Sequence, residues 1–260
     1  MTPMSNKIKP YVLAENNWKS VKEIKYTVAV LPWGATEAHN YHLPYATDNI
    51  LSENAAIESA KLAWENGAKV VVLPTIPFGV NTGQMDLNLC INMNPSTQYA
   101  ILKDTVQVLD THGINKLVIV NGHGGNDFKH IIRELSLHFP KVFVCALNWW
   151  GSLDSKAYFN EPGDHAGELE TAVMMHLTPE LVLPLSEAGQ GSAKSFKIKG
   201  LKQGWVKAQR KWSQVTEDTG VGNPKHANKN KGKIFFEHSV KNIGVFLEEL
   251  HEIDLEDIYE

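Results

Sequence analysis

Glu37, His39 and Asp48 fall within one fifteen-residue stretch, GATEAHNYHLPYATD at positions 34–48, together with a further histidine, His42. Carboxylates and imidazoles held close together are the ligand types of zinc and manganese centres. The stretch follows an apolar run, VAVLPW at 28–33, that reads as a buried strand ended by a turn. If the chain stays extended as it leaves that strand, Glu37 and His39 project from one face roughly 7 Å apart, a reach that suits two adjacent ions. Asp48 lies nine residues beyond His39, past a proline turn, where the chain can fold back to offer it as a further ligand. Its two oxygens allow it to bridge. Plainer roles compete with these: Asp48 heads NILSENAAIESAKLA and is well placed to cap a helix, and His39 or His42 alone reads as an ordinary hydrogen-bonded side chain.

A second constellation is NGHGGND at 121–127, which follows the apolar run KLVIV and holds Asn121, Gly122, His123 and Gly124. Glycines packed around one histidine imply either backbone conformations closed to other residues or close approach to something bound. A dinucleotide fingerprint fits poorly, because the third glycine and the later strand-end acid are missing; a phosphate loop is excluded by the lack of Gly-Lys-Ser/Thr. A metal-ligand histidine beside a backbone-lined pocket is the better reading. The third constellation is Asp164, His165, Glu168 and Glu170 in DHAGELET. On a helix, residues two apart diverge by roughly 200°, so Glu168 and Glu170 cannot both face one ion. Glu168, three residues from His165, is expected on the histidine's face, and either glutamate could instead favour a helix N-terminus.

The elements that must position these residues alternate along the chain. Apolar runs at 28–33, 69–73, 116–120 and 142–147 read as strands, separated by helical patterns at 48–65, 96–113 and 128–139. Near-continuous apolar strands with helices between them indicate a mainly parallel sheet covered on both faces, an α/β/α three-layer sandwich. Ligands bind such sheets at the carboxyl ends of the strands, where the 34–48 and 121–127 loops both emerge. A helix is expected over 164–177, beginning near Ala166, and a last amphipathic one over 231–250. Residues 77–95 form a long Gly- and Asn-rich irregular piece of the kind that is often functional. Residues 1–10 read as a loose arm, and 186–230, polar and Gly-rich with Trp205 and Trp212, as a lid, an oligomer contact or a surface excursion.

Bulk properties narrow the class further. A chain of 260 residues, 43% hydrophobic and 21% charged, can bury a sizeable core. Its net charge of -4 and lack of a long basic run point away from nucleic acid. The two cysteines, Cys90 and Cys145, are far apart in apolar segments, as expected for free thiols in a reducing compartment. With no stretch of membrane-spanning length and no basic-then-apolar N-terminus, a cytoplasmic protein is expected.

Taken together, GATEAHNYHLPYATD, NGHGGND and HAGELET, in this order and at these separations, resemble the creatininase (creatinine amidohydrolase) family. The likeness runs over about 28–183 and resumes near 220–250, and it implies a single creatininase-like domain across 1–260. It further implies two divalent ions, zinc first with manganese or iron as alternatives. Glu37 and His123 would hold the first ion and His39 the second, with Asp48 bridging. In creatininase proper a glutamate two residues after the loop histidine binds the second ion. That position here is Gly125, and Glu168, where creatininase is apolar, is expected to reach the second ion instead and to act with the catalytic His165. His165 matches the family's proton shuttle. Glu170, Asn121, Gly122, Gly124 and Trp149 are expected to support the ligands or line the substrate.

The implied reaction is attack on a carbonyl by a hydroxide bridging the ions, with His165 protonating the departing nitrogen. The substrate would be a small amide or cyclic amide such as creatinine, and the assembly a homo-oligomer, a hexamer by analogy. The creatinine-closing tryptophan of the family is absent from 159–164, and relatives with the same histidine block act on formamide groups of pyrimidine precursors or on modified peptides. A deformylase-type hydrolase, a metal-free small-molecule binding protein on the same scaffold, and a nucleotide-binding protein using 121–127 are the alternatives.

Overall fold

Four short apolar runs build the sheet: β1 (Val28–Trp33), β2 (Val70–Val72), β3 (Lys116–Asn121) and β4 (Phe143–Asn148), all parallel in the order β2-β1-β3-β4. The structure, a computed structural model, describes residues 8–260, so the expected arm at 1–10 lies largely outside the described residues. Val28 pairs with Val70 and Lys116, Trp33 with Asn121, and Asn121 with Asn148. β1, β3 and β4 therefore end at one level, and the loops that follow them open onto the same edge.

Among the described residues there are eight α-helices: α1 (Trp18–Val21), α2 (Thr47–Glu65), α3 (Pro95–Thr111), α4 (Lys129–His138), α5 (Glu168–Leu177), α6 (Lys199–Lys202), α7 (Trp212–Val215) and α8 (Lys229–Glu252). Successive strand side chains point to opposite faces. Val28, Val30, Val118 and Val120 pack against α2, α5 and α8. Ala29, Leu31, Trp33, Leu117 and Ile119 pack against α3 and α4. β1, β2 and β3 are buried on both sides, which is why they read as continuous apolar runs rather than alternating ones, while β4 at the sheet edge leaves Ala146 and Asn148 exposed. Lys116, buried at the start of β3, donates from Nζ to the carbonyls of His251 and Ile253 at 3.2 and 2.7 Å, tying the end of α8 to the sheet. No helix among the described residues is long and apolar enough to cross a membrane.

α5 begins two residues later than the sequence predicts. Ala166 takes a left-handed conformation (φ 51°) and Gly167 is extended, so the helix opens at Glu168. A Cβ on Gly167 would lie 2.7 Å from the Pro162 carbonyl oxygen, so this turn is packed too tightly for the chain to enter the helix any earlier. α5 also lies directly on α8, where a Cβ on Gly232 would collide with the backbone carbonyl of Ala172. Gly232→Ala is expected to force the two helices apart and lower stability by about 1–3 kcal/mol, read as a fall of several degrees in Tm. An unchanged melting curve would show that this contact does not set the helix spacing.

Candidate metal centre

At the carboxyl edge of the sheet, Glu37, His39 and Asp48 meet His123 and His165, all buried. His123 Nδ1 lies 3.0 Å from both Glu37 Oε1 and Asp48 Oδ2. His39 Nε2 lies 3.0 Å from Asp48 Oδ1 and 3.9 Å from Glu37 Oε1, and His165 Nδ1 is 3.5 Å from the same Glu37 oxygen. Two groups of candidate ligands share Asp48: Glu37 with His123, and His39 with Glu170. A further group joins Glu37, His39 and His165. Within each group the ligand atoms lie within 4.8 Å of one another.

Local backbone geometry produces this convergence. Gly34, at the end of β1, comes so close to α2 that a Cβ would sit 2.6 Å from the Asn49 amide nitrogen, which lets residues 34–46 loop out and return. At the loop's tip Asn40 adopts φ 53°, its amide donating to Thr219 Oγ1 at 2.9 Å and its Oδ1 accepting from the Gly189 amide at 2.8 Å. Asp48 then falls in the first turn of α2. Its carboxylate makes no capping hydrogen bond and turns to the histidines instead. Gly122 lets the loop after β3 rest on that turn, since a Cβ there would strike the Asp48 carbonyl oxygen. Asn121 shapes the loop, donating to the His123 carbonyl and to Asn148 Oδ1 at 2.8 Å each.

The ring nitrogens show what the site is built to hold. His39 Nδ1 lies 3.1 Å from the Glu37 carbonyl, His123 Nε2 3.1 Å from the Val80 carbonyl, and His165 Nε2 2.8 Å from the Ala38 carbonyl. A carbonyl only accepts, so these nitrogens carry the protons and, in the neutral rings, the opposite lone pairs face carboxylates. Glu37 Oε1 and Asp48 Oδ2 are buried without a hydrogen-bond donor. Lone pair against anion is repulsive, and either a proton or a cation must lie between them. Burial opposes charge on His39 and His123, yet Asp48 and Glu37 override it, pushing His39 up to about 10 and His123 well above its ordinary value. The Asp48 carboxyl is held low against its burial by His39 and His123. Burial pushes Glu170 up to about 7, and burial together with His39 lowers His165. A pair of divalent cations satisfies the same field with the mixed nitrogen and oxygen donors zinc and manganese take, so the residues present fit such a centre.

Two expected placements need correction. Glu168 does not approach the centre: its Oε1 accepts from Lys231 Nζ of α8 at 2.9 Å and its Oε2 from the amides of Asn160 and Glu161 at 2.9 Å each. Burial resists its charge, but those amides and Lys231 hold its carboxyl below the usual range. Because His165 lies outside the helix, the three-residue spacing to Glu168 places them on no common face. Glu170, on the opposite side of α5, points to His39 and Asp48 while its Oε2 accepts from the Ala166 amide at 2.6 Å. Trp149 is the second correction. It is fully buried against Trp150, Phe235 and Phe236, a core residue, and Trp150 is the one that reaches a cavity of about 130 Å³ beside Asp48 and Glu170.

Other residues here carry no sequence signal of their own. Gln84, in the irregular 77–95 piece, donates from Nε2 to Glu37 Oε2, and its Oε1 accepts from the Cys90 thiol at 3.3 Å. That fixes Glu37 with Oε1 toward the histidines. Gly125 cannot carry a side chain in this conformation, because a Cβ would strike His123 Nε2 and the Val80 carbonyl. From the 186–230 segment, Trp212 places its ring 5.3 Å from that of His165. It helps line a cavity of about 310 Å³ with Gly124, Gln84, Arg210 and the Glu37, His123 and His165 edge of the centre. The region read as a lid or excursion thus forms one wall of the site.

Comparison with known proteins bears on the family and the fold. The family model described as creatinine amidohydrolase matches residues 14–247. A candidate creatinine amidohydrolase from Bacteroides fragilis, solved as a crystal structure, superposes with a TM-score of 0.91 at 45% identity, covering 97% of this chain and 99% of the other. A creatininase variant of the Zn-Zn type superposes at 0.78 with 21% identity, covering 94% and 99%, a likeness of fold. A mycofactocin precursor peptide peptidase from Mycobacterium ulcerans is 26% identical over 221 residues, 81% of this chain and 80% of its own.

Glu170→Gln is expected to lower bound metal from about two ions per chain to about one, measured by elemental analysis. Glu168→Gln should keep both ions and lose roughly 1–3 kcal/mol of stability with its ionic hydrogen bonds; the reverse pattern would return Glu168 to the ligand set. His42 supplies a pH test. It is buried with Nε2 2.8 Å from Thr171 Oγ1, and burial with the nearby His39 charge lowers its pKa from 6.5 to about 4. The unfolded chain takes up that proton first as pH falls, so this contribution to stability is full above about 6.5 and is lost toward about 4. His42→Gln should flatten the decline of Tm across that window, and an identical slope would remove His42 as its cause.

Proposed function

The chain belongs to the creatininase family of amidohydrolases, and from that premise we propose that it cleaves the C-N bond of a small amide or cyclic amide at a centre of two divalent ions. The observation that carries this reading is the Asp48 carboxylate, one oxygen toward His123 and Glu37 and the other toward His39, with Glu170 joining the His39 side. Glu37, His123 and Asp48 would hold one ion; His39, Asp48 and Glu170 the other. Zinc is the first choice for such donors, with manganese or iron as alternatives. When bound, two such ions supply Lewis-acid polarisation of a carbonyl and a water acidic enough to ionise near neutral pH.

The chain's own groups do the rest. Gln84 holds Glu37 by one oxygen and leaves the other free. His165 keeps Nε2 on the Ala38 carbonyl, so Nδ1 is the atom left to take a proton at the centre and pass it to the leaving nitrogen. Burial lowers its pKa, keeping the ring neutral and able to accept that proton. Trp212 covers the imidazole and limits access of water from that side. A cavity of about 310 Å³ suits a small molecule, which favours an amide of creatinine size.

The direct test is a screen of the metal-loaded protein against creatinine, formamides and small lactams, with metal content measured on the same sample. Turnover of at least one compound is expected, with Asp48→Asn losing about a thousandfold or more in kcat/KM and both ions. A folded protein that takes up no metal from replete medium and turns over nothing would leave only a binding function on this scaffold.

A further inference from the structure

We infer that the substrate carries a carboxylate or comparable anionic group and that Arg210 is the side chain that recognises it; this rests on the hydrolase reading above. Arg210 lines the same cavity as Glu37, His123 and His165. Its guanidinium lies 4.5 Å from the centroid of the Trp212 ring, and that buried indole lies in turn against the imidazole of His165 at 5.3 Å. The guanidinium thus lies against the indole, and the indole, tilted 45°, against the imidazole beside the centre. The segment is held in place at Gly83, where any side chain would strike the Arg210 carbonyl.

The partner of Arg210 within the chain does not account for it. Nη2 lies 2.8 Å from Asp164 Oδ2, but the two side chains are 42% and 60% exposed, and ion pairs at that exposure contribute little. A guanidinium has five N-H donors, so one contact leaves a planar fork for a second anion. Among the other residues lining the cavity, Glu37 and Asp164 are acids and His123 and His165 are imidazoles that can titrate, and Glu37, His123 and His165 face the centre. Arg210 is the permanent cation there. A neutral substrate would leave its fork to water; a carboxylate would pair with two parallel hydrogen bonds. The scissile amide at the centre and an acid at Arg210 define a small amide bearing a carboxylate.

The test uses the metal-loaded full-length protein and two matched probe pairs, N-formylglycine with N-formylglycinamide and 5-oxoproline with its carboxamide, titrated calorimetrically. Wild type is expected to bind the acid of at least one pair about tenfold more tightly than the amide. Arg210→Gln should erase that preference by lowering affinity for the acid about tenfold relative to the amide, Arg210→Lys should keep part of it, and Asp164→Asn, which frees a donor, should keep or strengthen it. No preference in either pair, or a preference that survives whole in Arg210→Gln because the acid sits on the ions, overturns the inference. Turnover of neutral amides without acid preference would remove Arg210's role and leave the hydrolase standing. Acid preference with no amide turned over would do the reverse.

Discussion

A single carboxylate, that of Asp48, sits between two imidazoles at 3.0 Å on either side, buried, with Glu37 and Glu170 close by. Charged groups withdrawn from water in such number are destabilising unless each is paired. Because each ring spends its N-H on a backbone carbonyl, the imidazoles cannot all serve as donors to the acids, and the cluster is compatible with burial only if positive charge enters it. The rest of the site is arranged around that requirement.

The sheet meets it through register. Trp33, Asn121 and Asn148 finish their strands at the same level, so loops distant in sequence begin within reach of one another. Close backbone approaches complete the convergence. Gly34 and Gly122 bring two of those loops onto the first turn of α2, where Asp48 stands, and any side chain at either position would drive them apart. These glycines contribute no chemistry of their own. Their contribution is distance.

Around the ligands runs a layer whose members fix orientation. The Ala38 amide donates to Cys90 Sγ at 3.2 Å, the thiol to Gln84, and Gln84 to Glu37, a chain that satisfies buried groups and selects which Glu37 oxygen stays free. Asp218 does similar work further out, accepting from the amides of Gly191 and Gly220 and from Thr216 Oγ1, and so shaping the turn that leads from Trp212 back toward His165. Residues 159–164, just ahead of His165, hold no tryptophan, and Trp212 reaches that imidazole from nearly fifty residues downstream.

The sequence by itself determined the parallel sheet, its order of strands and helices, and the placement of Glu37, His39 and His123 in loops at the carboxyl ends of strands, because all of these are local: apolar runs bounded by turns, and ligand-type side chains just beyond strand ends; that Glu37, His39, Asp48 and His123 share one centre was implied only by the family resemblance. The choice between Glu168 and Glu170 was beyond it. Helical spacing excludes one of the two but does not say which, and the answer depends on a left-handed Ala166 that shifts the helix start and on a lysine from α8 that captures Glu168. Trp149 likewise is expected at the substrate from the sequence, and only the packing of α8 makes it core. Gln84, Trp212 and Arg210 come from irregular segments without periodicity, and no spacing rule links them to a strand end. Their proximity to the centre exists only once the chain has folded, since contacts between segments far apart in sequence leave no local pattern.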